Sequence, residues 1–325
     1  MIDRSEFFQQ PAWQSLVKKN FISDTRSFID LEVTPSVFTQ KVKIPLVLEE
    51  LKIPGLGSVH FGRYSSVYLS DYFDFKNSEY LDIHSIEELR HKANDIGIDV
   101  LWFSNIPSNE SLYSNLQEFS KSRKDCYFLD CIPSLGIKCY DTYEEYLSSL
   151  SKNSRRNIRR KNEAIKEIGA EHKVIPLGGE EIDLLLRNQF TRARNTNLDV
   201  IASNLPLSKT FKDMIGLKGV QMSEIFIDDK VISQLLLLVK EKTIAVLAQS
   251  FDEDYSQYSP GFCNFANLIA YAHGHGYKYI DLLRGDEDYK RHFSNHTIEM
   301  RKFVLILNPR LNPETLISFL QNIEE

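Results

Sequence analysis

The stretch TIAVLAQSFDEDYSQYSPGFCNFANLIAYAHGHGYKYIDLLRGDEDYKRHF, residues 243–293, decides the fold. Thr243–Ser250 is an apolar run of strand length. Ser256–Gly261 is polar and broken by Pro260 and Gly261. From Phe262 to His273 apolar residues recur at helical spacing (Phe262, Phe265, Ala266, Ile269, Ala270), and Gly274 and Gly276 can end that helix. Tyr277–Leu283 is again β-prone, and a charged turn leads to a second short helix. A strand, turn, helix and strand in that order expose backbone N–H groups at a helix start, where the dipole is positive and phosphate can be held.

Working outward, Val220–Ile227 and Val231–Val239 flank the turn-prone Asp228-Asp229-Lys230 and predict a hairpin, with Thr243–Ser250 as its third strand. Lys173–Pro176 predicts a short strand, Gly179–Asn195 and Leu207–Gly216 helices, Glu299–Asn308 a strand and Glu314–Ile323 a closing helix. Thr142 with Glu145 three residues on forms a capping box. It opens what reads as one long helix, with Leu147, Leu150, Ile158, Ile165 and Ile168 on one side and Gly169 at its end. Toward the N-terminus, Phe7–Lys19 reads as an amphipathic helix, Ser27–Val33 and Lys41–Leu48 as strands, and Gly55–Gly62 as a loop. Ser65–Asp74 reads as strand and turn, Ile86–Ile96 and Ser111–Ser120 as helices, and Val100–Phe103, Tyr127–Leu129 and Gly136–Tyr140 as strands.

A chain of 325 residues predicts two domains. The boundary falls at the start of the capped helix: 1–142, then 143–325 with its basic linking helix. Apolar residues make up 42% and charged residues 26%, a globular composition. No apolar run approaches the roughly 20 residues of a membrane helix, and the N-terminus lacks a secretory pattern, so the expected location is the cytoplasm. A net charge of −6 disfavours DNA or membrane surfaces as general partners. Cys126, Cys131 and Cys139 lack CxxC spacing and a nearby histidine, and read as plain thiols. His273 and His275 read as partners of a helix C-terminus, and no metal is expected.

Three blocks together carry a resemblance: Tyr258-Ser259-Pro260-Gly261 before the helix, Tyr279-Ile280-Asp281-Leu282 with Gly285–Phe293 after it, and the basic SLSKNSRRNIRR of 149–160. Phe7–Trp13 adds to it. The chain resembles the GNAT-type acyltransferases of bacterial cellulose and exopolysaccharide gene clusters, relatives of the FemABX aminoacyl transferases. The resemblance implies an α/β (α+β) fold of tandem GNAT-like domains. The C-terminal one is a mixed sheet flanked by helices, and the N-terminal one is degraded and serves the acceptor. The implied activity moves an acyl group from acyl-CoA, with acetyl-CoA the first choice, to an amine on an amino sugar or cell-envelope or polysaccharide precursor. The amine attacks directly, since no Ser–His or Cys–His nucleophile pattern is visible. Two other readings stay open: an aminoacyl-tRNA-dependent transferase, and a silent GNAT-like binding module.

Tyr289-Lys290 resembles the family's aromatic–lysine pair beside the transfer channel, which implies that Lys290 steadies developing negative charge; a solvated lysine is the plain reading. Asp281 lies in an apolar run and needs a partner, so it reads either as a base or amine-orienting group or as a structural carboxylate. Asp286, Glu287 and Asp288 read as turn and cap acids. Tyr258, Ser259, Gly261 and Phe262 are the implied pyrophosphate turn. Here the chain departs from the usual GNAT pattern, with one glycine, no leading arginine, and a proline that removes one N–H. Lys152, Arg155, Arg156, Arg159, Arg160 and Lys161 place like charges at i,i+4. That points either to an anionic partner gripped by Arg155, Arg156 and Arg159, with Arg284 nearby, or to a solvated face paired with acids.

Overall fold

The computed structural model describes residues 13, 15, 16, 19, 20, 26–36, 41–64, 81–196, 205–285 and 287–322. These form two compact units, one of residues 5–133 with 298–325 and one of residues 134–297. The sequence reading puts the boundary at 142/143 and leaves the C-terminal tail with the second domain. In the structure the division falls at 133/134, and the tail returns to the first unit. The class is mixed α/β, with one mixed sheet and flanking helices in each unit.

In the first unit β1 (Arg26–Val33), β2 (Val42–Ile53) and β3 (Gly57–Tyr64) form an antiparallel meander. Helix α1 (Ile83–Asp95) leads to β4 (Val100–Pro107), which pairs parallel to β3 over Phe61–Arg63 only. Helix α2 (Ser111–Ser120) and β5 (Cys126–Asp130) follow. Gly57–Tyr64 is a strand rather than the expected loop. Gly55 and Gly57, at φ +82° and +78°, serve the turn before it, while Val59 and Phe61 point into the core. Gly62 is needed inside the strand, because a Cβ there would stand 2.8 Å from Ile98 Cδ1. The reading of Ser65–Asp74 lies outside the described residues; that of Phe7–Lys19 is described only in part, with Trp13 and Leu16 buried.

The second unit opens with β6 (Ser134–Lys138), α3 (Tyr143–Ser149) and α4 (Lys152–Glu167). The capping box of Thr142 and Glu145 is present, but the expected long helix is two helices. Leu150 is extended, and Ser151 caps α4 by accepting from the Ser154 N–H at 3.1 Å. Ser151, seven residues before the apolar repeat resumes at Ile158, is a helix start, and periodicity alone hid it. Then come β7 (Glu171–Pro176), α5 (Gly179–Thr196), α6 (Leu205–Asp213), β8 (Val220–Ile227), β9 (Lys230–Lys240) and β10 (Thr243–Phe251). A 3-10 turn (Glu253–Tyr258), α7 (Pro260–Gly274), β11 (Tyr279–Arg284), α8 (Asp288–Phe293) and β12 (His296–Ile298) complete the unit. The strand expected over Glu299–Asn308 is β13 (Met300–Ile306), which joins the first unit's sheet, as does the closing helix α9 (Pro313–Asn322) that unit's core.

Strand order is β1-β2-β3-β4-β13-β5 in the first sheet and β12-β6-β11-β10-β9-β8-β7 in the second. The second core lies between its sheet and helices α3, α4 and α7, where Leu235, Leu237, Ile244 and Ile280 meet Phe265, Ala266 and Ile269.

Candidate active site

The second sheet contains one defect that makes room for chemistry. Strands β10 and β11 pair in parallel only from Thr243 to Ala245 against Tyr279 to Asp281. Beyond that point β10 runs on to Phe251 and the two strands part. On its other side β10 slips register against β9 between Val246 and Ala248, a bulge that twists the strand. Strand β11 slips against β6 between Asp281 and Arg284, with buried Leu283 at φ +62°. Splayed parallel strands leave a crevice at their carboxyl ends, where open α/β sheets place ligands.

Helix α7 starts beside this crevice. Ser259, at φ +53°, turns the chain from the 3-10 segment into the helix and makes no side-chain cap. Pro260 occupies the first helical position, where its missing N–H is no loss. The N–H groups of Gly261 and Phe262 find no partner among the described residues. Gly261 lies against β10, since a Cβ there would stand 3.4 Å from Phe251 and 3.6 Å from Gln249 Oε1. The ammonium of Lys161, from α4, sits 4.3 Å from the Phe262 ring centroid. The buried Cys263 thiol donates to the carbonyls of Lys161 and Tyr258, tying α4 and the 3-10 turn to the helix start. Two open amides, a positive helix end and a lysine form a seat for a phosphate group.

Helix α8 packs against the same place. The Phe262 ring lies 4.5 Å from Phe293, and Tyr289 lies 5.4 Å from Phe265. Lys290 is only 6% exposed, so the solvated reading falls. Its Nζ donates to the Arg284 carbonyl at 2.6 Å and sits 3.0 Å from Glu287 Oε2. Gly285 (φ +124°) permits this approach, because a Cβ there would stand 2.6 Å from that ammonium. Asp281 is 2% exposed, and its Oδ1 accepts from the Leu283 N–H at 2.8 Å and from Ser134 Oγ at 3.4 Å. The carboxylate thereby spans the irregularity in β11. Asp286 lies outside the described residues.

The basic run separates into stripes. Arg155 donates to the carbonyls of Ser148 and Leu150 and closes α3, while Arg159 pairs with Glu144 at 3.1 Å. Lys152, Arg156 and Arg160, at i, i+4 and i+8, are exposed and have no ion pair among the described residues. So of the four arginines expected at substrate, Arg155 and Arg159 are engaged locally, Arg156 has no ion pair among the described residues, and Arg284 ends β11 with its carbonyl accepting from Lys290. Lys161, at the end of the same run, is the member that reaches the start of α7.

His172 Nε2 lies 2.8 Å from Ser223 Oγ, a proximity that the sequence does not reveal. Ser223 in turn reaches Asn264 Oδ1 at 2.6 Å, and Asn264 Nδ2 donates to Ser233 Oγ at 3.2 Å. Burial pushes the His172 imidazole down to about 4. Ser223 is fully buried, so the chain is an anchor of α7 to the sheet and not a nucleophile. His273 and His275 hold the other end of α7 through the Ile269 and Tyr271 carbonyls. Among the described residues no cluster of three His, Cys, Asp or Glu could hold a metal, and no helix is long and apolar enough to cross a membrane.

A sheet split between parallel strands, with an uncapped helix start beside the split, is a crevice suited to a ligand with an anionic group. Residues 152–291, all inside the second unit, match the family described as acetyltransferase (GNAT) domain. That part of the chain is thus similar to a GNAT-type acetyltransferase domain, and the class of activity indicated is group transfer. The fold as a whole is similar to the crystal structure of FemX (12% identity, TM-score 0.62, covering 97% of this chain and 94% of that one). It is also similar to a conserved protein of unknown function from Bacteroides thetaiotaomicron VPI-5482 (12%, 0.57, 94% and 92%). A third is the C-terminal domain assigned to a lysylphosphatidylglycerol synthetase from Agrobacterium fabrum (10%, 0.52, 85% and 84%). Comparison with curated protein sequences gave no match.

Proposed function

We propose that the protein is a cytoplasmic N-acyltransferase that moves an acyl group, acetyl first among them, from coenzyme A to an amine. The observation that carries this reading is the split between β10 and β11 beside the open amides of Gly261 and Phe262, within the matched domain. The donor's diphosphate takes the helix start with Lys161, and Tyr258 and Ser259 shape that turn. The thioester enters the split. The amine nitrogen attacks the thioester carbonyl, the C–N bond forms, the C–S bond breaks, and the thiolate leaves with a proton derived from the amine. Charge on the carbonyl oxygen is the main cost, and a preorganised cation or donor offsets about 3 kcal/mol of it. Lys290 supplies that charge, Tyr289 packs its helix against α7, and Asp281 with Arg284 shapes the end of β11. The acceptor is an amino sugar or another envelope or polysaccharide precursor, as the resemblance to the exopolysaccharide-cluster enzymes implies.

Thermal unfolding with acetyl-CoA tests the donor: a concentration-dependent rise in Tm supports the reading. No shift at millimolar acetyl-CoA contradicts it. A second reading has one observation of its own, the exposed stripe of Lys152, Arg156 and Arg160, which fits a polyanion such as the acceptor stem of an aminoacyl-tRNA. Activity lost on ribonuclease treatment, without an acetyl-CoA shift, favours that donor.

A further inference from the structure

A row of polar side chains crosses the second sheet on one face. Lys173 on β7, Glu224 on β8, Gln234 on β9 and Ser250 on β10 are successive register partners. Directly opposed residues point to the same side of a sheet, so the four stand next to one another. The row begins at the surface, where Lys173 Nζ, on a side chain 43% exposed, lies 3.2 Å from Oε2 of the buried Glu224. Gln234 Nε2 then donates to Glu224 Oε1 at 2.9 Å and to the Glu181 carbonyl of α5 at 3.0 Å. Both donors of this amide are engaged, which fixes its orientation and leaves Oε1 as a pure acceptor.

At the β10 end the row is unfinished. Gln234 Oε1 and Ser250 Oγ are buried without a hydrogen-bond partner. Helix α5 adds a third such atom. Gln189 Nε2 donates to the Gln249 carbonyl, next to Ser250, at 3.0 Å, and its Oε1 takes no hydrogen bond. Each unmatched buried polar group costs about 1–3 kcal/mol, and native proteins leave few of them. Two of the three atoms accept only and the Ser250 hydroxyl can donate a single hydrogen, so the place is short of donors. A primary ammonium brings three donors and no acceptor. An anion is disfavoured by the Glu224 carboxylate one position along the row.

We propose that Gln234, Ser250 and Gln189 form a seat for a primary amino group, bound as its ammonium, with Glu224 supplying the attractive field through Gln234. Strand β10 separates this seat from the donor side: Ser250 faces α5, whereas Gln249 beside it reaches toward Gly261 at the start of α7. An amine held there has only the thickness of one strand between it and the donor. Naming it the acceptor subsite rests on the transferase reading above; the binding of the amine does not.

Saturation-transfer NMR on the full chain, without coenzyme, with n-butylamine and D-glucosamine as probes and tetramethylammonium as a cation lacking N–H groups, tests the seat. At least one primary amine is expected to bind the wild type and tetramethylammonium is not. Ser250→Ala weakens the amine about tenfold, and Ser250→Val, whose methyl groups fill the seat, abolishes it. The Tm of Ser250→Ala stays at or above wild type, since an unmatched polar atom is removed. The proposal is overturned if neither amine binds, if tetramethylammonium binds as well, or if Ser250→Ala keeps wild-type affinity. It is also overturned if Ser250→Ala lowers Tm by several degrees, as loss of a bridging water would. Acetyl-CoA binding, measured separately, reports on the donor reading alone.

Discussion

The two sheets share a plan and differ at one helix end. In each, three antiparallel strands lead through a helix to a strand that pairs in parallel for three rungs. In the second unit the helix start is open, because Ser259 makes no side-chain cap. In the first unit the equivalent start, α1, is closed by Asp82. Its carboxylate accepts from the Ser85 N–H at 2.9 Å, the Ser36 N–H at 2.8 Å and both serine hydroxyls. Burial acts to raise this carboxyl, but the hydrogen bonds from Ser36 and Ser85 outweigh it and hold it at about 2. A negative charge on a helix N-terminus stabilises the helix and excludes phosphate. One helix start is left open to an anion and the other is closed by a carboxylate.

Four substitutions or titrations press on that comparison, beginning with the largest effect. Lys290→Ala should lower kcat by 10²–10³-fold, equivalent to about 3–4 kcal/mol of lost charge stabilisation, while acetyl-CoA affinity changes little; steady-state kinetics against calorimetry separates the two. Acid should then loosen the two units in different windows. For His172, lowered to about 4, the unfolded chain binds the extra proton between about 4 and 6.5, so stability is full above that window and declines as pH falls through it. The loss is of order 3 kcal/mol, and chemical denaturation of His172→Gln should show a flatter pH profile there. The Asp82 contribution lasts to lower pH, being present above the ordinary 3.8 and lost as pH falls toward about 2. Ser259→Asp closes the second unit's helix start in the manner of the first: acetyl-CoA should bind at least tenfold more weakly with Tm unchanged or higher. Asp82→Ala, the smallest effect, should cost about 1 kcal/mol of stability and leave acetyl-CoA affinity as it was.

Much of the second unit was legible in the sequence, because its signals are local. The meander over 220–251, the Pro260–Gly261 helix start and the capping box at Thr142 each depend on residues a few positions apart. The slip of β11 against β6 was not legible, since the two strands lie more than 140 residues apart in sequence. For the same reason the sequence leaves Asp281 with two readings: its partner Ser134 is 147 positions distant. The basic run announced charge but not direction. Only the break at Leu150–Ser151 turns Arg155 back onto α3 and leaves Arg156 and Arg160 outward. Lys290 in turn was expected on motif alone, and its burial depends on Gly285 and on Phe293 packing against α7.

A crystal structure with acetyl-CoA bears most directly on the contrast between the two helix starts. The diphosphate should lie on the Gly261 and Phe262 amides beside Lys161, with the thioester carbonyl between β10 and β11 and toward Lys290. Coenzyme bound elsewhere, with those amides facing only solvent, would contradict the account.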